Sequence, residues 1–250
     1  MRLWAIADPH LSFSTNKPMD VFGERWKNHE ERLARAWRSV VSSDDVVLLP
    51  GDISWAINLD EAEADLRFLH ELPGQKIIGR GNHDYWWTSL KKMNTFADAK
   101  GLDSLTFMRH DAYRFGDHRH NLVVCGTRGW LTPEDSTWQE STDRKIYLRE
   151  ESRLRLSLNA AQNLCDEASQ LLVALHYPPF NRSLVPTLFT ELLHEFSVDI
   201  CLYGHVHGVA AASTPEGLID NLRYTNVSAD HLGFQPLLIW DSEADRDQHD

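Results

Sequence analysis

Aspartate, asparagine and histidine, the oxygen and nitrogen donors of a metal site, are concentrated in five short blocks: Asp8-Pro9-His10, Gly51-Asp52, Gly81-Asn82-His83-Asp84, His176, and Gly204-His205-Val206-His207. Each block follows an apolar run rich in β-branched residues. So many donors at the ends of such runs point to one pocket holding more than one metal ion. Mixed imidazole and carboxylate donors suit manganese, iron or zinc, whereas an all-oxygen set would suit magnesium or calcium.

Something must bring blocks this far apart in sequence together. Strand candidates are Leu3–Ala7, Asp45–Leu49, Lys76–Ile78, Asn121–Cys125, Leu171–Leu175 and Asp199–Tyr203, all short apolar runs of the kind buried in a sheet. Helix candidates alternate with them. Leu33, Ala36, Trp37, Val40 and Val41 share one helical face, and Ala62, Leu66 and Leu69 form a similar stripe. Leu154, Leu158, Ala161 and Cys165 predict a long helix, and Leu188, Leu192 and Phe196 another, started by Pro186. Tyr113 to Cys125 reads as a hairpin about Gly116-Asp117, and Arg223 to Trp240 as strands without helices. Every block then lies at the C-terminal end of a strand, where α/β sheets bind ligands. Asp8 with His10, and His205 with His207, have the i, i+2 spacing that points side chains to one side of an extended chain.

The 250 residues suffice for one large core, and one domain is expected over 1–240, followed by an acidic, frayed tail at 241–250. No apolar run is long enough to span a bilayer, and the N-terminus lacks the pattern of a secretory signal, so a cytoplasmic location is expected. Cys125, Cys165 and Cys201 have no metal-type or paired spacing and are expected to be reduced. A net charge of −12 disfavours an extended nucleic-acid footprint. A small anionic substrate remains compatible if bound cations dominate the local field.

The ordered blocks D-x-H, G-D, G-N-H-D, H and G-H-x-H resemble the calcineurin-like metallophosphoesterase family, over a stretch from Asp8 to His207. The resemblance implies an α/β fold, a four-layer αββα sandwich of two mixed β-sheets flanked by helices. It implies a two-metal centre in which Asp8, His10 and His207 bind one ion, Asn82, His176 and His205 the other, and Asp52 bridges both. His83 would lie beside the scissile phosphate. Two ions roughly 3.5–4 Å apart clamp a phosphate and activate a bridging water. The expected chemistry is therefore in-line attack on phosphorus by a metal-bridging hydroxide. His83 would protonate the leaving oxygen or stabilise the transition state. Asp84 would either orient the His83 ring or cap a helix beginning near Trp86.

Specificity falls to the loops. Arg128 and Arg182, in loops expected on the metal face, read as candidates to hold a phosphate oxygen bidentately, with a surface salt bridge the alternative. Trp55, Trp86, Trp87 and Trp130 read either as core or as a platform for a ring, with Trp86 or Trp87 the exposed one. The irregular Phe13–Trp26 segment reads as a lid. His118 and His120 read as solvated strand residues. A small phosphorylated substrate is expected, with a phosphodiester slightly favoured over a monoester because the chain offers few further cations. A nuclease or nucleotide phosphatase of the same family, and a non-catalytic scaffold with the same fold, are the alternatives. A TIM barrel would need eight βα units, which the hairpin and strand-rich C-terminus do not fit.

Overall fold

Val46, Val47, Leu48 and Leu49 are all buried, although successive side chains of a strand point to opposite faces. Their sheet must therefore be covered on both sides, and the structure, a computed structural model describing residues 1–181, 183–211 and 213–243, shows how. Along the chain run β1 (Arg2–Ala5), α1 (His29–Val40), β2 (Val46–Leu49), α2 (Leu59–His70), β3 (Gln75–Ile78), α3 (Leu90–Lys100), β4 (Leu105–Phe107), β5 (Ala112–Gly116), β6 (Asn121–Thr127), α4 (Glu140–Gln162), β7 (Ser169–Leu175), α5 (Leu188–Glu195), β8 (Ile200–Tyr203), α6 (Gly208–Ala211), β9 (Gly217–Ile219), β10 (Leu222–Asn226) and β11 (Leu237–Asp241).

They form two mixed sheets, ordered β11-β1-β2-β3-β4 and β5-β6-β7-β8-β10-β9. The antiparallel members are β11, β5 and β9; the other neighbours are parallel. Alternate side chains sort into three apolar layers. Leu3, Ala5, Leu48 and Ile77 of the first sheet meet Leu122, Val124, Leu172 and Leu202 of the second in a central layer. Trp4, Val47 and Ile78 face outward onto Trp37, Leu66 and Met93 of α1–α3. Val123, Val173 and Cys201 face outward onto Leu154, Leu158, Phe189 and Leu192 of α4 and α5. The result is the four-layer αββα sandwich. Among the described residues, no helix is long and apolar enough to cross a membrane.

Four details depart from the sequence reading. Strand β4 has three residues, too few to carry a pattern. Helix α3 starts at Leu90 and is capped by Ser89, whose hydroxyl accepts from Lys92 N, so Asp84 caps no helix. His118 and His120 lie in the turn joining β5 and β6, where His120 stacks on Trp240 at 4.9 Å. The start of the expected frayed tail is bound: Asp241 ends β11 and pairs with Arg2 at 2.9 Å, while 244–250 lie outside the described residues.

The loop after β7 is fastened by Thr187, whose hydroxyl oxygen accepts Thr190 N and whose backbone N–H donates to the Thr190 hydroxyl in a capping box, while its own hydroxyl donates to the Pro179 carbonyl. Thr187→Val keeps the shape and the backbone N–H bond to Thr190 but removes the bonds made by the hydroxyl. Its expected cost is about 1–2 kcal/mol of unfolding free energy, read by urea denaturation. A change below about 0.3 kcal/mol would show that the cap contributes nothing.

Candidate metal centre

The blocks converge at the C-terminal ends of the parallel strands. Within each sheet neighbouring turns are tied, Asp8 N to Gly51 O and His10 N to Asp52 O in the first and Gly204 N to His176 O in the second, and Ala7 N to Val227 O and Ala229 N to Ala7 O join the two sheets. The turns are tight. Asp8, His10, Asp52 and His205 have φ of 58°, 47°, 51° and 71°, left-handed values costly for residues with a Cβ and typical of functional sites. The extended geometry expected for Asp8-x-His10 and His205-x-His207 is therefore not what positions these residues. Gly81 and Gly204 permit close approach, since a Cβ on either would collide with the Asp52 or Asp8 carboxylate.

Two donor clusters result. One holds Asp8, His10 and His207; the other holds Asp52, His176 and His205; within each cluster the donor atoms lie within 4.8 Å of one another. Asp52 Oδ2 lies 3.5 Å from His176 Nε2 and 3.8 Å from His10 Nε2, so it sits between the clusters. Asn82 Oδ1 is 2.7 Å from His176 Nε2. His10 and His207 present their Nε2 atoms to each other at 3.4 Å.

The donor set fits metal cations on electrostatic grounds. Asp8 and Asp52 are buried, and Asp8 Oδ1 has no hydrogen-bond partner among the described residues. Burial pushes the Asp8 carboxyl up to about 7; His207 opposes the shift and the charge on Asp52 adds to it. Two buried carboxylates this short of donors call for cations. Burial also holds His10, His176 and His205 well below the ordinary imidazole value, in the neutral form that coordinates metals. The ring orientations are set from behind. His176 Nδ1 lies 3.2 Å from the Pro50 carbonyl, and His207 Nδ1 lies 2.8 Å from Asp230 Oδ1, which turns each Nε2 towards the site.

Above the clusters lies a cavity of about 470 Å³, lined by Met19, Phe22, Trp26, Trp55, His83 and Val209 among others. The Phe13–Trp26 segment thus supplies part of this wall. Trp55 stacks on His10 at 5.1 Å and stands 4.3 Å from His83, while Trp26 meets His10 and His207 edge-on. The backbone N of His83 donates to Asp52 Oδ1 at 2.8 Å, and its Nδ1 is buried with no partner among the described residues.

Other sequence candidates are placed differently. The Asp84 carboxylate does not orient the His83 ring. Its oxygens accept five N–H donors, from Asp52, Ile53, Ser54, Gly81 and the Trp86 indole. Trp86 is only 2% exposed and packs in the core, so it offers no substrate platform. Arg128 leaves the cavity above the clusters, pairing with buried Glu150 at 3.3 Å and stacking on Trp130 at 4.3 Å. Arg182 lies outside the described residues. Asp230 escaped the sequence reading. It follows β10 in Asn226-Val-Ser-Ala-Asp, where no motif flags it, and its one available signal was its position beyond a strand end.

Asp230 also accepts Gly208 N and pairs with Arg25. Asp230→Asn is expected to weaken uptake of one metal ion about 10–100-fold while the other is retained, read as metal per chain against a chelator series. Equal retention of both ions would remove this role for Asp230.

Comparisons with known proteins agree with this geometry. Residues 1–209 match the family model described as Calcineurin-like phosphoesterase. A curated relative, the Gene 66 protein of Mycobacterium phage L5, is 33% identical over 81 residues, spanning 32% of this chain and 39% of that protein. The fold is similar to TT1561 of Thermus thermophilus, with TM-score 0.55, 12% identity, and 95% and 98% of the two chains covered. It is also similar to AQ665 of Aquifex aeolicus, a protein of unknown function, with TM-score 0.51, 16% identity and 95% of each chain covered. At those identities the likeness concerns the fold alone. The family match covers most of the chain, and this protein belongs to the calcineurin-like phosphoesterase family.

Proposed function

We propose that this chain hydrolyses phosphate esters, phosphodiesters before monoesters, at a two-metal centre. The observation that carries the reading is the pair of donor clusters with Asp52 between them. Asp8, His10 and His207 would hold one ion, and Asn82, His176 and His205 the other, with Asp52 shared. When bound, such ions neutralise phosphoryl charge and make a water a nucleophile near neutral pH.

The protein's own groups do the rest. Asp84 fixes the turn that carries Asp52 by holding the backbone N–H groups of residues 52–54. Pro50 O and Asp230 set the rings of His176 and His207. His83, held by its backbone bond to Asp52, flanked by Trp55 and lining the cavity, is placed as a proton donor or hydrogen-bonding group for the leaving oxygen. The preference for diesters is supported by charge. Arg25 is the one Lys or Arg among the cavity's described lining residues, and it already faces Asp230 at 3.4 Å. Lys17, whose Nζ stands 5.8 Å from the centre of the Trp55 ring, is a further cation beside the cavity, and the apolar walls suit a second ester arm.

Metal-loaded protein is expected to turn over a bis-aryl phosphodiester faster than the matching aryl monoester, and to lose both activities to chelator. His83→Ala should lower turnover of an alkyl-type diester about 10²–10⁴-fold with metal content unchanged. No bound metal and no turnover with added manganese, iron or zinc would overturn the enzyme reading. Undiminished turnover by His83→Ala would remove only the role of His83.

A further inference from the structure

A second cavity, of about 310 Å³, shares no lining residue with the one above the metal clusters. It is lined by Arg80, Arg109, Arg128 and Arg153 with His110, against the single carboxylate of Glu150. These residues come from four places: the turn after β3, the end of β4, the end of β6, and α4. In a chain of net charge −12, four guanidiniums converging from four elements on one concavity is not the background composition.

The alternative is a structural ion-pair network about Glu150, and it fails on donors. The fully buried Glu150 carboxylate already takes Arg153 Nη1, Arg128 Nη2 at 3.3 Å and the Thr127 hydroxyl at 3.0 Å. Asp84 adds a second negative charge acting on Arg80, which still leaves the buried or half-buried guanidiniums of Arg80, Arg128 and Arg153 in excess over the carboxylate in the cavity. The buried Nε atoms of Arg80 and Arg128, and Nδ1 of His110, are left without hydrogen-bond partners among the described residues. Trp130 beneath Arg128 at 4.3 Å and the Arg153–Glu150 pair hold two of the forks in place, so the cavity is ordered.

We propose that this cavity is an oxyanion site that takes a phosphoryl group in the forks of Arg80, Arg128 and Arg153. Guanidinium forks match phosphate oxygens in pairs, and the volume accommodates a phosphoryl group with a small substituent. The site is wired to the metal centre through the main chain. Arg80 immediately precedes Gly81-Asn82, and the Arg128 carbonyl accepts the N–H groups of His176 and Tyr177 at 3.0 and 2.9 Å. The phosphoryl group comes either from the substrate, as a second group that is not cleaved, or from a free anion.

Inorganic phosphate titrated calorimetrically into metal-loaded protein tests the site. Wild type is expected to bind two phosphates per chain, one at each site. Arg153→Gln should bind one, with the lost site weakened roughly tenfold or more and metal content unchanged. Arg153 is partly exposed, so the variant is expected to fold; Arg109→Gln, on the exposed rim, is the second test and should weaken the same site less. A single phosphate in wild type that both variants retain, or two in Arg153→Gln at wild-type affinity, overturns the proposal. Protein that binds no metal but still takes one phosphate, lost in Arg153→Gln, would sustain this site while sinking the metal reading. A fall in kcat/KM of Arg153→Gln confined to substrates bearing a second phosphate assigns the site to the substrate. Loss of phosphate binding without that selectivity assigns it to a free anion.

Discussion

The arrangement depends on how a protein accommodates carboxylates away from water. Asp8, Asp52 and Asp84 are all buried at the meeting edge of the two sheets. A buried carboxylate is tolerated only where donors or cations meet it. Asp84 is met by five N–H groups and is thereby the fastening of the Asp52 turn. Asp52 receives His83 N on one oxygen and turns the other towards two imidazoles. Asp8 receives His205 N on one oxygen, while the other has no donor among the described residues. The protein satisfies each of these groups from behind and leaves lone pairs directed at one small volume. That residual demand is what makes the volume a cation site.

The left-handed backbone at Asp8, His10, Asp52 and His205 follows from the same demand. A strand leaving the sheet in the ordinary extended direction would carry these side chains past the junction. The reversal folds them back over the strand ends, and each such residue costs of order 1–3 kcal/mol of strain. The cost is sustained because hydrogen bonds between separate turns over-determine the conformation. Asp8 N reaches Gly51, His10 N reaches Asp52, and His205 N reaches the Asp8 carboxylate.

Much of this was legible in the sequence. Apolar runs with no polar face announce strands covered on both sides, and the donor blocks sit where those runs stop. Val46–Leu49 before Gly51-Asp52 carries both signals in seven residues. What escaped was whatever depends on long-range contact without a periodic or motif signature. Asp230 is one aspartate among many until His207, 23 residues away, comes within 2.8 Å. Asp84 lies beside His83 in sequence, and that proximity invited a direct pairing. In the fold its five donors come from the turns carrying Asp52 and Gly81 and from Trp86. The same bond buries Trp86, which its neighbours in sequence alone made a candidate for exposure.

The distribution of charge separates what the two cavities can do. The one above the donor clusters has aromatic and aliphatic walls, and its arginine is already opposite Asp230. Under the proposed two-metal reading, an anion there would be held by the cations of the centre itself, and recognition would be coupled to metal occupancy. The neighbouring cavity carries its positive charge on arginines, which stay charged at any physiological pH and need no cofactor. Both anchor to the same short turns, Arg80 to Asn82 and Arg128 to His176. A ligand drawing on the guanidiniums therefore pulls on the segments that carry His176 of the second cluster and Asn82 beside it. Coupling requires a differential interaction with two arrangements of those turns. The strained, hydrogen-bonded backbone at the donors leaves few arrangements to choose from. The expected effect of the arginine cavity is thus on where a phosphorylated ligand lies, not on the shape of the metal centre.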